Sequence, residues 1–314
     1  MMATHQLDRE TVHREWNNAL APRLTIDPGD TVVFDTRDAA DGYYSRKSTH
    51  DDVLGRGPFR GHPLTGPVAV RGARPGDVLS VEILDVKPAA DFGWTAIRPG
   101  RGLMPEAEFS KPFLTIWDLT DPTHARMGGR RDIRVPIAPF PGVMGTALDE
   151  PGGHSTMPPR KNGGNMDIKQ LVAGTTLLLP VWVDGALFSV GDAHAAQGDG
   201  EVCVTAIEMM GRVTLRFGLE SGRGFREPRF RTRGPLASAA ERGPCYVTTA
   251  NGPDLFANAQ QAIRYMIEHL VAERGLSREE AYIVCSVAVD LKISEIVDAP
   301  NWIVSAFLPE TVFA

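Results

Sequence analysis

Glycine and proline constrain this chain more than any other feature. Thirty-two glycines and twenty-four prolines are spread through 314 residues, and before residue 250 they leave little room for regular helix. Two stretches, residues 24–35 and 70–84, each place Pro-Gly-Asp between runs rich in β-branched residues. Proline fixes φ at the first central position of a turn, and glycine accepts positive φ at the second. Each stretch is therefore expected to be a hairpin of a sandwich or barrel. Residues 175–183 and 186–190 read as two more strands, joined by a turn at Asp184-Gly185. Residues 90–150 mix glycine, proline and aromatics, and read as loop.

The texture changes after Pro253. Residues 254–274 place Leu255, Ala259, Ala262, Ile263, Met266, Ile267 and Leu270 on one helical face, with Asp254 as cap and Gly275 as stop. Ser277 and Glu280 have the spacing of a capping box for a second helix ending near Val289, and residues 293–307 return to strand. His269, near the end of the first helix, is accounted for by the helix dipole. The expected fold is mainly β: a sandwich over residues 1–250 and a smaller α+β portion over 251–314.

A net charge of -6 argues against nucleic acid or an anionic membrane as partner, since either needs a basic surface. The densest cationic run holds Arg223, Arg226, Arg229, Arg231 and Arg233, interleaved with Phe225 and Phe230. It is expected to touch a second copy in a homo-oligomer, the competing view being a solvated strand pair. Cys203, Cys245 and Cys285 are too few and scattered for a disulfide framework and read as reduced thiols. With no basic-then-apolar leader and no long apolar run, the expected location is the cytoplasm.

Chemistry concentrates in residues 185–201, where Asp192, His194, Gln197, Asp199 and Glu201 stand among small residues that let backbone approach a ligand. In extended backbone Asp192 and His194 share a face, a common way for a strand to offer two metal ligands. A second polar loop supplies His50, Asp51, Asp52 and His62, of which His62 is better explained as a residue that merely precedes a proline. Gly163-Gly164 and Asn165 suit donors aimed at a substrate oxygen, although a tight turn explains the glycines equally well.

Three strings, residues 162–169, Pro180 with residues 185–201, and residues 298–302, give the chain a resemblance to the acetamidase/formamidase family over nearly its whole length. The resemblance implies hydrolysis of the C–N bond of a short amide such as formamide or acetamide, on a jelly-roll-like β-sandwich with a smaller α+β portion. The residues can be asked separately how an amide would be cut. No cysteine has a cationic neighbour to activate it, and neither a Gly/Ser-rich nucleophile loop nor Gly-x-Ser-x-Gly is present. Carboxylates and imidazoles in glycine-rich loops are present, and they are the ingredients of a metal-activated water. On this reading His50, Asp52, Asp192 and His194 hold a divalent ion, zinc by its mixture of nitrogen and oxygen ligands. Glu201 carries protons, and Asn165 with Gly164 orients the carbonyl. A jelly-roll that binds a small ligand without turning it over remains the alternative.

Overall fold

Alternating burial shapes most strands. In Thr31–Thr36 the side chains of Val32, Phe34 and Thr36 are buried while the residues between them are partly open, as expected for strands with one face on a core. The computed structural model describes residues 2–233 and 243–313. Within them, a six-stranded sheet runs in the order Thr4–Leu7, Thr31–Thr36, Gly211–Glu220, Val78–Pro88, Thr176–Pro180, Arg229–Arg231. It faces a larger sheet ordered Arg134–Pro136, His124–Met127, Phe113–Asp118, Phe92–Ile97, Glu208–Met209, Phe188–His194, Phe140–Gly145, Gly163–Asn165. Leu64–Val70 also pairs with Phe188–His194, and Leu24–Ile26 lies beyond it. Phe34 and Phe217 from the smaller sheet meet Phe188 from the larger at ring-centroid distances of 6.1 and 5.1 Å, so the core lies between the sheets. The chain is a mainly β sandwich with a small helical C-terminal portion.

The expected hairpins are corners instead. Leu24–Ile26 belongs to the larger sheet and Thr31–Thr36 to the smaller; Leu64–Val70 and Val78–Pro88 divide the same way, as do Thr176–Pro180 and Phe188–His194. Each turn carries the chain from one sheet to the other, and apolar faces of successive strands meet across the core. The Pro-Gly-Asp turns do form, with φ of 102° at Gly29 and 93° at Gly76. In both, the aspartate carboxylate accepts the N–H three residues back: Asp27 N–H to Asp30 at 3.1 Å and Arg74 N–H to Asp77 at 3.0 Å. Residues 90–150, expected as loop, hold five strands of the larger sheet, beginning with the antiparallel pair Phe92–Ile97 and Phe113–Asp118.

The C-terminal elements follow the sequence closely. Leu255–Arg274 is capped by Asp254, which accepts Ala257 N–H at 3.0 Å, and ends at Gly275. The capping box of Ser277 and Glu280 opens Arg278–Ala288. His269 stacks on Tyr246 with ring centroids 3.5 Å apart. Strands Cys245–Gly252, Trp302–Pro309 and Asp290–Glu295 form a three-stranded sheet in that order, so the α+β layer takes in a strand that begins before residue 250. Ala250, Ile263, Met266 and Ile283 share one core cluster with the sandwich. Among the described residues no helix is long and apolar enough to cross a membrane.

Candidate active site

The site begins where one strand changes partner. Along one edge, Phe188–His194 pairs with Leu64–Val70 through Gly191, and from Ala193 it pairs with Glu208–Met209. Its other edge follows Phe140–Gly145 in constant register, with Gly142 opposite Asp192. At the change-over Asp192 adopts φ 55°, a left-handed conformation that aspartate tolerates better than most residues. His62 lies just before the first partner strand and Glu208 opens the second. The break in pairing thus gathers His62, Asp192, His194 and Glu208.

All four are buried. His194 Nε2 stands 3.3 Å from Glu208 Oε2 and 3.5 Å from Asp192 Oδ1, and His62 Nε2 is 3.6 Å from Asp192 Oδ2. The ligand atoms of Asp192, His194 and Glu208 lie within 4.8 Å of one another. His194 Nε2, Asp192 Oδ1 and Glu208 Oε2 make no hydrogen bond, although buried polar atoms are nearly always bonded. Their outer atoms are held: Glu208 Oε1 accepts Ala206 N–H at 3.1 Å, and His194 Nδ1 is 2.9 Å from Gln197 Oε1. Three unsatisfied ligand atoms that converge, two of them on side chains fixed from behind, could hold a cation, and the mixture of imidazole and carboxylate suits a divalent ion.

Asp167 and Glu201 form a second group with His194, again with ligand atoms within 4.8 Å. Their backbones are left-handed, at φ 48° and 42°. Three acids of the site therefore hold a conformation that costs free energy and persists where the surrounding fold enforces it. Gly142 makes room for them. A Cβ there would fall 2.5 Å from Asp167 Oδ1, 2.9 Å from His194 Cε1 and 3.0 Å from the Asp192 carbonyl oxygen.

The acids cannot all ionise cheaply in so dry a place. Burial pushes Glu208 up to about 8, and Asp192 adds to the shift while His194 opposes it. Burial likewise pushes Asp167 up to about 7, and burial together with the Asp167 charge drives Glu201 well above the usual carboxylate range. For Asp192, burial acts against ionisation but His62 and His194 outweigh it and hold the carboxyl down. Burial would discharge His194, yet Glu208 and Asp192 hold its imidazolium well above the ordinary histidine value. Burial keeps His62 neutral, the form that ligates metals. A divalent cation would let the acids ionise together.

The structure does not bring His50 and Asp52 to this place; among the described residues neither belongs to a convergent group. His50 Nδ1 accepts Leu114 N–H at 2.9 Å and its ring stacks on Phe113 at 4.3 Å. Asp52 starts a one-turn helix, and its carboxylate accepts Thr49 N–H at 2.6 Å. His62 and Glu208 stand where those two were expected. Asn165 pairs with Val143, which in turn pairs with Gly191, so it borders the site; its Oδ1 is buried and unpartnered. An amide has an acceptor at one end and a donor at the other, so by turning over it can present to the site the donor that was expected. Gly164 follows Gly163, whose N–H is taken by the Arg160 carbonyl at 3.0 Å. Asp199 is structural, accepting Gln170 Nε2 at 3.1 Å. Cys203 and Cys285 are buried with thiols pushed up, Cys203 to about 11, and are not nucleophiles. Sequence reasoning missed Glu208 and Asp167. A lone acid in the apolar run Ala206-Ile-Glu-Met-Met210 was the available signal for Glu208.

The chain is 29% identical to the formamidase of Methylophilus methylotrophus, over 96% of this chain and 89% of that one. The fold is similar to that of a γ-lactamase from Delftia acidovorans, with a TM-score of 0.90 and 26% identity over 99% of this chain and 93% of that one. An acetamidase from Bacillus halodurans superposes with a TM-score of 0.67 and 33% identity, over 96% of each chain. The sequence model of the Acetamidase/Formamidase family matches residues 2–151 and 150–314, and this chain belongs to that family.

Proposed function

We propose that the chain hydrolyses the C–N bond of short aliphatic amides at this site, with water as co-substrate and carboxylate and ammonia as products. The observation that carries the mechanism is the set of unpartnered atoms His194 Nε2, Asp192 Oδ1 and Glu208 Oε2. His62, Asp192, His194 and Glu208 would hold a divalent ion, and the mixed nitrogen and oxygen donors favour zinc. When bound, such an ion supplies a Lewis acid for the amide carbonyl and acidifies water. Glu201, beside Asp167, takes the proton of the attacking water and returns it to the departing nitrogen. The side-chain amide of Asn165 would hold the substrate amide and orient its carbonyl. The buried thiols of Cys203 and Cys285 fit a reducing, cytoplasmic setting.

A second reading, cleavage of a cyclic amide by the same steps, is favoured by the TM-score of 0.90 to the γ-lactamase against 0.67 to the acetamidase. The test combines metal analysis, chelation and add-back with assays on formamide, acetamide, propionamide and a γ-lactam. Ammonia marks the linear substrates, and a new primary amine in the ring-opened product marks the cyclic one. About one bound equivalent of metal is expected, with activity lost on chelation and restored on add-back. Full activity at well under one equivalent would end the metal mechanism. A thermal shift with ligand but no turnover would identify a binding module.

A further inference from the structure

Gln197 touches no reacting atom, yet its side chain is buried beside the ligands. Its Nε2 lies 2.7 Å from the main-chain carbonyl oxygen of Asp167. A carbonyl can only accept, so the NH2 end of the amide must face Asp167 and Oε1 must face His194 Nδ1, 2.9 Å away. Oε1 also can only accept. The hydrogen of the neutral ring must therefore sit on Nδ1, and Nε2, the atom nearest Asp192 and Glu208, keeps its lone pair. The assignment follows from one fixed main-chain acceptor and does not depend on a choice of amide orientation.

We infer that Gln197 is a positioning residue that commits His194 to cation binding through Nε2 and holds the Asp167 turn in register with it, and this rests on the metal reading above. The same amide clamps two parts of the site. On one side it sets the ring of a ligand; on the other it pins the carbonyl of Asp167, whose own carboxyl belongs to the proton-handling pair. The clamp is anchored from outside the sandwich: Gly198 N–H donates to the Ser286 carbonyl at 2.9 Å, and Leu291 N–H to the Asp199 carbonyl at 3.0 Å. Neither ring rotation nor a shift of the Asp167 turn can occur without breaking one of the two amide bonds.

The test uses full-length Gln197→Leu and Gln197→Glu proteins, stripped of metal and titrated with zinc against a chromophoric chelator. Leucine fills the space but offers Nδ1–H no acceptor, and zinc affinity is expected to fall about 10–100-fold. Glutamate restores the acceptor, and its affinity is expected to lie between leucine and wild type. A merely structural role predicts instead that both variants lower the melting temperature of the metal-free protein while zinc affinity stays within about twofold of wild type; that result, or glutamate no better than leucine, would overturn the inference. If the leucine variant does not fold, nitrogen-15 spectra of wild type decide. With zinc bound, Nδ1 of His194 must carry the proton and Nε2 must show the metal shift. If wild type binds no zinc, the metal reading fails by itself. The metal-free spectrum then judges Gln197: as alkali removes the ring's second proton, loss from Nε2 sustains the clamp and loss from Nδ1 overturns it.

Discussion

Single residues here do work that depends on what stands behind them. Glu201 has no spacing partner in the sequence that marks it as an acid. It is brought beside Asp167 and His194 by the fold, with its backbone held in the left-handed region. On the proposed mechanism Glu201→Gln is expected to bind as much metal as wild type and lose about 10²–10⁴ of kcat, read by ammonia release and metal content on the same sample. His50→Ala and Asp52→Ala should keep both, because their side chains serve Leu114 and Thr49. Asp192 and His194 do come together, although the left-handed backbone at Asp192 departs from the extended strand that their spacing assumed. His62 and Glu208 were not legible, since each reaches the site through strand pairing, which no local spacing records. His50 with Asp52 misled for the converse reason: two ligand types close in sequence were taken up by a turn and a stacked ring.

Among the elements, the sequence showed the strands that flank its Pro-Gly-Asp turns but not which sheet receives each, and it read the five strands of residues 90–150 as loop. Alternation with period two is the same on either side of a hairpin or a corner, and Pro-Gly-Asp serves both. The helices were readable in detail because caps and face are set within one element. The corner at Asp30 has a measurable signature. Its carboxylate accepts Ala3 N–H at 2.7 Å, lies 3.0 Å from His5 Nε2 and accepts Asp27 N–H at 3.1 Å, and these bonds lower its pKa from 3.8 to about 2. A depressed carboxylate contributes stability that is fully present above the unfolded value and is lost as pH falls through the folded one. Wild type should therefore lose stability between about pH 4 and pH 2, and Asp30→Asn should lose less over that window while being less stable at neutral pH. Urea midpoints at several pH values would show it, and parallel curves for the two proteins would contradict it.

For the whole molecule, two surfaces matter. Among the described residues Arg229–Arg231 ends the six-stranded sheet, with Phe230 exposed and Arg229 stacked 4.0 Å over Phe225. An open sheet edge invites pairing, and charge on it can also discourage pairing. We propose that it meets a second copy, so the Arg229→Glu, Arg231→Glu double variant should give a smaller species by light scattering. An unchanged mass, or a monomeric wild type, would remove the proposal. The other surface is internal. The Cys203 N–H donates to Ser286 Oγ at 3.1 Å, and that hydroxyl donates to the Thr205 carbonyl at 2.8 Å. Together with the Gly198 and Leu291 bonds they tie the loop carrying Gln197 and Glu201 to the last quarter of the chain. During synthesis the ribosome would release His62, Asp192, His194 and Glu208 before the segment that steadies this loop. A nascent chain that has released residues 62–208 but not yet 286–291 would therefore carry these acids and imidazoles without the hydrogen bonds that steady this loop.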